Sequence, residues 1–528
     1  YTTARDTTRN RLRDAGRLSC PGLLALALAA CGGSQAPTSA DVPADAPGTA
    51  PPRTVACGPD SAPETDLQGR VPRADRDSGR NLEAYSCNLR LVGQYQGQGA
   101  SVVSASSGDC AYMSSGPVAA VLSTTPGMQV VDVSDPTDPQ FAGHHASPGM
   151  LLGTWESLKV NEARGLLGGV AVGVLSAPGF FDVYDISDDC ANPIHRNGLL
   201  GTSLELPSNV LGHEGNWSPD GRTYWSTGLI AGSITAIDVE EPSQPRILYT
   251  GLRGFPANHG VEFSPDGNRM YLATCLPGGI ITLDVSAIQN REPVPVVRQV
   301  SRITWNPRSC AQHALPVFFD GEPHLIAADE FAAEGVRIID ISDETAPEVI
   351  THIQLEIQQP ENAALRQEDV ASNGAFGYEA HYCTVDRPEN PTALACGYFN
   401  SGIRVFDIRN PRDPVEIAYF NPPARPDDAP RLHGSLHAWG GGILPHISDQ
   451  NASGTAPGSL VPYVLRYVAS VPELLSLGLG VVHGEMSADW CSSPPRFVDD
   501  QLWVTCMDNG FMVLEFTNGV YPLADARS

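Results

Sequence analysis

The sequence predicts an all-β fold, a seven-bladed β-propeller with four strands in each blade. Three observations carry this expectation. A short apolar strand ending in an acidic residue recurs seven times along the chain. The recurrence runs at roughly 50 residues, the length of one four-stranded blade. The 528 residues include 52 glycines and 45 prolines but only 18% charged residues, which suits many short strands joined by tight turns.

Residues 1–30 read as a targeting segment. Arg5, Arg9, Arg11, Arg13 and Arg17 precede the apolar run Leu23 to Ala30, which is too short to span a bilayer. The run ends at Leu28-Ala29-Ala30-Cys31, an ending that resembles the lipobox of bacterial lipoproteins. The resemblance implies lipidation at Cys31 after signal cleavage. Gly32 rather than Asp follows, which by the same analogy implies the outer membrane, on its periplasmic or surface side. Residues 31–85, rich in Pro, Ala, Ser, Gly and Asp, read as a disordered tether, because they hold too little apolar surface to order themselves.

The propeller is expected over residues 86–520. Its marker strands end at Asp132, Asp185, Asp238, Asp284, Asp340, Asp407 and Glu515. Each unit repeats one order of strands. Around Asp284 the first strand is His259 to Phe263, a turn follows at Ser264-Pro265-Asp266-Gly267, and a second strand covers Met270 to Ala273. Pro and Gly supply the fixed and the permissive φ that a tight hairpin needs. The last gap is roughly twice the usual period. It is read as an insertion at about 421–480, with the apolar stretch Leu460 to Gly480 as a packed cap. The strand Leu89 to Tyr95 has no blade of its own, and is expected to complete the last blade and close the ring.

Ten cysteines follow Cys31, an even number that suggests disulfides in an exported protein. Cys383 with Cys396 and Cys491 with Cys506 would each close one short hairpin, at equivalent places in two repeats. Cys275 with Cys310 is a further candidate. A net charge of -27 argues against nucleic acid as a partner. Lys159 is the sole lysine, read as codon bias.

The marker strand followed by Ser-Asp-Pro, as in Val130-Val131-Asp132-Val133-Ser134-Asp135-Pro136, resembles the LVIVD-repeat proteins, a bacterial β-propeller family. The resemblance spans about residues 90–517. It implies the fold and little about chemistry. The Asp-Val/Ile-Ser strands and scattered histidines also resemble the selenium-binding protein and methanethiol oxidase propellers, which use metal-binding histidines. No ligand is carried over from them.

One site stands out from the repeat register. His213, His259 and His313 each lie eight residues before a turn glycine, Gly221, Gly267 and Gly321. His381 and His483 hold comparable places in later units. The first two repeats have Ala100 and Ser157 there. Residues at the starts of innermost strands ring one mouth of the central channel. Imidazoles there could hold Zn, Cu or Fe, with Glu214, Glu379 or Glu485 completing the shell. They could equally bond neighbouring backbone, since duplication copies a structural histidine. His433 and His437 are read as insertion loop, and His144-His145 as a surface pair. Function is therefore read in two ways. One is a non-catalytic platform for a protein, peptide or glycan. The alternative is a metal-dependent oxidoreductase or hydrolase with its site at the histidine-lined mouth.

Overall fold

The computed structural model describes residues 50–116, 119–151, 153–171, 180–198, 212–228, 232–369, 376–426, 428–430, 432–438 and 486–524. All lie in the compact unit Ala44–Ser528. Among them are seven sheets, each built on four antiparallel strands, with two further short strands added to the sheet of blade six. Blade one runs Ser104–Ser107, Cys110–Met113, Met128–Asp132 and Gln140–His145. Blade two begins at Lys159–Asn161, blade three at Glu214–Trp217 and blade four at Ala257–Phe263. Blades five, six and seven begin at Ala311–Phe319, Ala380–Val385 and Arg496–Val498.

Six of the seven acidic markers end the third strand of their blade, from Asp132 to Asp407, and Glu515 sits one residue before the end of Gly510–Phe516. The aspartates cap the turn to the fourth strand. Asp185, Asp284 and Asp340 each accept the backbone N–H two residues on, at 2.9–3.1 Å. These carboxyls are held below their ordinary pKa, led by the Ser187 and Ser286 hydroxyl bonds at Asp185 and Asp284.

Apolar faces of successive blades interlock. Val317, Ile326 and Ile338 of blade five share one cluster with Leu394 and Phe406 of blade six. Leu89–Tyr95 pairs antiparallel with Gly510–Phe516, so the strand before blade one completes blade seven and closes the ring.

The expected tether of residues 31–85 is corrected at its C-terminal end. Arg53–Thr54 pairs parallel with the outer strand of blade six, Val415–Asn421, and Tyr85–Cys87 pairs antiparallel with the same strand. Buried Arg404 binds Glu64 and Glu416, and Arg70 binds the buried Asp369 at 2.8 Å. Composition hid this because the segment adds edges and ion pairs to an existing blade and needs no core of its own.

Five disulfides are present among the described residues. Cys383–Cys396 and Cys491–Cys506 each bridge the first and second strands of their blades or the approach to them. Cys275–Cys310 joins blades four and five. Cys57–Cys87 fastens the N-terminal arm, and Cys110–Cys190 ties blade one to blade two. The insertion at about 421–480, including Leu460 to Gly480, lies mostly outside the described residues. No helix among the described residues is long and apolar enough to cross a membrane.

Candidate metal centre

The innermost strands of blades four and six are irregular where they carry histidine. In blade four the pairing jumps between Asn258 and Val261, so His259 and Gly260 fall out of register. In blade six it jumps between Ala380 and Cys383, releasing His381 and Tyr382. Such bulges re-aim a side chain that a regular strand would send to the sheet face. Gly260 is required here, because a Cβ would lie 2.3 Å from the Gln312 carbonyl oxygen and 2.6 Å from Glu214 Oε2. His213 sits just before Glu214–Trp217, with its backbone N–H on the Thr227 carbonyl.

The result is a compact cluster at the channel. His213 Nε2 lies 2.8 Å from His259 Nε2 and 3.2 Å from Glu156 Oε2. His259 Nε2 is 3.2 Å from Glu156 Oε2 and 3.4 Å from Glu330 Oε2. His381 Nε2 is 3.1 Å from Glu156 Oε1 and 3.9 Å from Glu330 Oε1. His259, His381 and Glu156 are fully buried, while the His213 side chain keeps 15% exposure and marks the open side.

Two rings are held from behind. His381 Nδ1 donates to the Ser492 carbonyl at 2.8 Å, which fixes that nitrogen as the protonated one. His259 Nδ1 donates to Glu214 Oε2 at 3.1 Å. Glu214 in turn lies 3.7 Å from Lys159 Nζ, whose ammonium also sits 4.3 Å above the Tyr382 ring. Each Nε2 then aims its lone pair at carboxylate oxygens. Acceptor facing acceptor at about 3 Å needs a positive particle between them, a proton or a cation. Ligand atoms bound at about 2.1 Å around one tetrahedral ion sit roughly 3.4 Å apart, close to these separations.

The electrostatics agree. Burial alone would raise the Glu156 carboxyl, but the His259 and His213 charges outweigh it and hold Glu156 well below the usual range. Burial would lower His259, yet Glu156, Glu214 and Glu330 raise it well above its ordinary value. Removing water from one of these two charged groups without the other is costly, so burial here favours the Glu156–His259 pair over either charge alone.

Not every expected residue takes part. His313 is corrected: its Nε2 accepts the Cys383 backbone N–H at 3.0 Å, and burial pushes its pKa down to about 3. The cause is register. The irregularity of blade five falls between Ala311 and His313, so Gln312 turns inward, and its amide donates to Glu156 Oε2 at 3.2 Å. Glu379 accepts the Gly377 backbone N–H at 2.6 Å, and Glu214 supports His259 from behind. His483, Glu485 and Cys31 lie outside the described residues. His144 bonds the Pro126 carbonyl at the surface and His145 packs on Tyr184. Cys310, near His259 and Glu330, offers no thiolate because it is bonded to Cys275. Lys159, read from composition as codon bias, stands beside the cluster instead.

Glu156, Glu330 and Gln312 were not anticipated. Glu156 immediately precedes Ser157, the position that the register count reached in the second repeat. Its bridge to Glu214 aligns the innermost strands of blades two and three. Glu330 follows the second strand of blade five, Glu322–Asp329, where counting along first strands does not reach. His437, expected in a loop, is buried with Nδ1 2.9 Å from Asp508 Oδ2 and 3.7 Å from Asp489 Oδ1.

Fold and site together define a closed seven-bladed β-propeller with a histidine–carboxylate cluster at its channel. The LVIVD repeat model matches residues 124–146, which hold the third and fourth strands of blade one. A search of curated proteins gave no match. Similar solved structures include a protein from Lactobacillus plantarum, at 14% identity and a TM-score of 0.42 over 61% of this chain and 87% of that one. A periplasmic gluconolactonase from Pseudomonas aeruginosa is 15% identical, with a TM-score of 0.41 over 65% of this chain and 100% of that one. A functionally unknown protein from Desulfotomaculum acetoxidans is also 15% identical, with a TM-score of 0.41 over 60% and 84%.

Proposed function

We propose that this chain is an exported propeller, lipid-anchored through Cys31, that binds a divalent transition-metal ion in the mouth of its channel. One observation carries the reading. Three imidazole Nε2 atoms converge on Glu156 and Glu330, and the opposite nitrogens of His259 and His381 are committed to Glu214 and the Ser492 carbonyl. Second partners of this kind orient metal-bound histidines. The face made by His213, His259 and Glu156 offers two nitrogens and one oxygen without thiolate, a donor set that fits Fe2+ or Zn2+. An ion there would polarise a substrate oxygen or lower the pKa of a bound water. A small polar substrate would enter past His213 and the nearby Trp155 ring. Five disulfides support export, because such bonds persist in oxidising compartments.

The test is the metal content of the full chain by mass spectrometry, beside a His259→Ala variant. Bound Fe or Zn that disappears in the variant, with the fold retained by circular dichroism, supports the reading. No metal after incubation with either ion sinks it and leaves a loop-face platform for a protein, peptide or glycan.

A further inference from the structure

The two oxygens of each central carboxylate do not face the same imidazoles. Glu156 Oε2 meets His213 and His259 at 3.2 Å, whereas Glu156 Oε1 meets His381 at 3.1 Å. Glu330 divides in the same way. Its Oε2 lies 3.4 Å from His259 and its Oε1 lies 3.9 Å from His381. The ligand atoms thus separate into two sets that share Glu156. One set is His213 Nε2, His259 Nε2 and Glu156 Oε2. The other is His381 Nε2, Glu156 Oε1 and Glu330 Oε1, with Glu330 Oε2 turned back toward His259. From the juxtaposition of these sets we infer that the centre is dinuclear, with Glu156 as the bridge between two divalent transition-metal ions.

The physical case rests on how a carboxylate binds. A carboxylate that bridges two ions gives one oxygen to each. The Glu156 oxygen nearest His381 is not the one nearest His213 and His259, which is the arrangement that bridging needs. Carboxylate bridges and flanking imidazoles hold metal pairs about 3.5–4 Å apart in other folds. The surroundings suit the added charge. Glu214 and the Gln312 amide meet the cluster from its edge, and Lys159 is the only ammonium beside it. A pair of ions so placed can bind the attacking and the leaving oxygen of one displacement together.

The inference rests on the metal reading above, and the experiment separates the two. The full chain is loaded with Zn2+, dialysed, and its zinc measured by mass spectrometry against protein concentration. About two ions per chain are expected, falling to about one in both His381→Ala and His213→Ala. His437→Ala, which removes the separate cluster with Asp489 and Asp508, should leave the count at two. A count of one in the wild-type chain overturns the dinuclear centre and leaves the single-ion reading standing. A count of zero overturns both. Two ions of which His437→Ala removes one also overturn the dinuclear centre. Loading the unmodified chain with Mn2+ needs no variant. A bridged pair broadens the six-line resonance of isolated ions into an exchange-coupled signal, and two independent six-line centres would refute the bridge.

Discussion

Glu156 is the point at which the site can be taken apart with least disturbance. Its carboxylate meets three imidazoles and the Gln312 amide at 3.1–3.2 Å, and it is fully buried. Glu156→Gln keeps the volume and one acceptor oxygen but removes the charge and one oxygen that an ion needs. A ligand bound only by the folded state stabilises it according to its excess over Kd, by about 2.7 kcal/mol at a hundredfold excess. Unfolding roughly 400 ordered residues carries an entropy near 0.8 kcal/mol per kelvin, so that stabilisation moves Tm by about 3 °C. Losing one charged ligand of a small set should weaken binding by about a hundredfold, comparable to the loss of a key supporting partner. At the same Zn2+ concentration the variant should then gain only about 0.4 kcal/mol, or roughly 0.5 °C. The assay is a thermal melt with and without Zn2+, followed by circular dichroism, on both proteins. If Glu156→Gln shows the full zinc-dependent rise, Glu156 is no ligand and the reasoning fails. If the metal-free variant is as stable as the metal-free wild type or more so, the same pair of melts shows that the carboxylate is not kept for stability.

His313→Ala should leave the zinc content unchanged, because His313 binds backbone, while costing about 1–3 kcal/mol for the orphaned Cys383 N–H in urea unfolding. Gly260→Ala should reduce zinc binding with the ring intact, since its Cβ would push on the Gln312 carbonyl and on Glu214; an unchanged affinity would contradict the close approach. Burial pushes half-buried Glu262 up from its ordinary value near 4.5 to about 7. A carboxyl raised in the folded state adds no penalty below pH about 4.5 and costs stability as the pH rises through about 7. Partial exposure brings the cost to roughly 1.5 kcal/mol, and Glu262→Gln should remove it, seen as a flatter difference between urea unfolding at pH 5 and pH 8. Cys57→Ser with Cys87→Ser opens a loop of 30 residues, worth up to about 3.6 kcal/mol in chain entropy. Hydrogen exchange should then quicken over residues 53–87 while blades two to five stay protected.

The ring was legible because its cause is local and repeated. Six of the seven marker strands end in an aspartate that caps its own turn, so the signal is written blade by blade and survives variation in the rest. Closure was legible for a related reason: Leu89–Tyr95 reads as a strand whose own blade is missing. The site was only half legible, and the missing half is informative. Counting along first strands reached His213, His259 and His381, because those strands share one register. The same count included His313, and it failed there because the irregularity of blade five falls at Gln312 and reverses which side chain points inward. A pattern of residue types cannot show where a strand breaks its own alternation. The register count missed Glu156 by one residue, landing on Ser157 at the entry to blade two, and Glu330, after a second strand, lay beyond it. They meet only because the ring brings blades two and five to the same channel. Duplication explains why histidines recur at one position, but it does not explain why unrelated positions supply the carboxylates between them. Copies of a structural histidine would be expected to bond the neighbouring blade's backbone, as His313 does. His213 and His259 depart from that pattern toward carboxylates of independent origin. His381 keeps a backbone bond through Nδ1 to the Ser492 carbonyl but turns its Nε2 to Glu156, and this shared turn toward carboxylate favours a binding centre over a repeated scaffold contact.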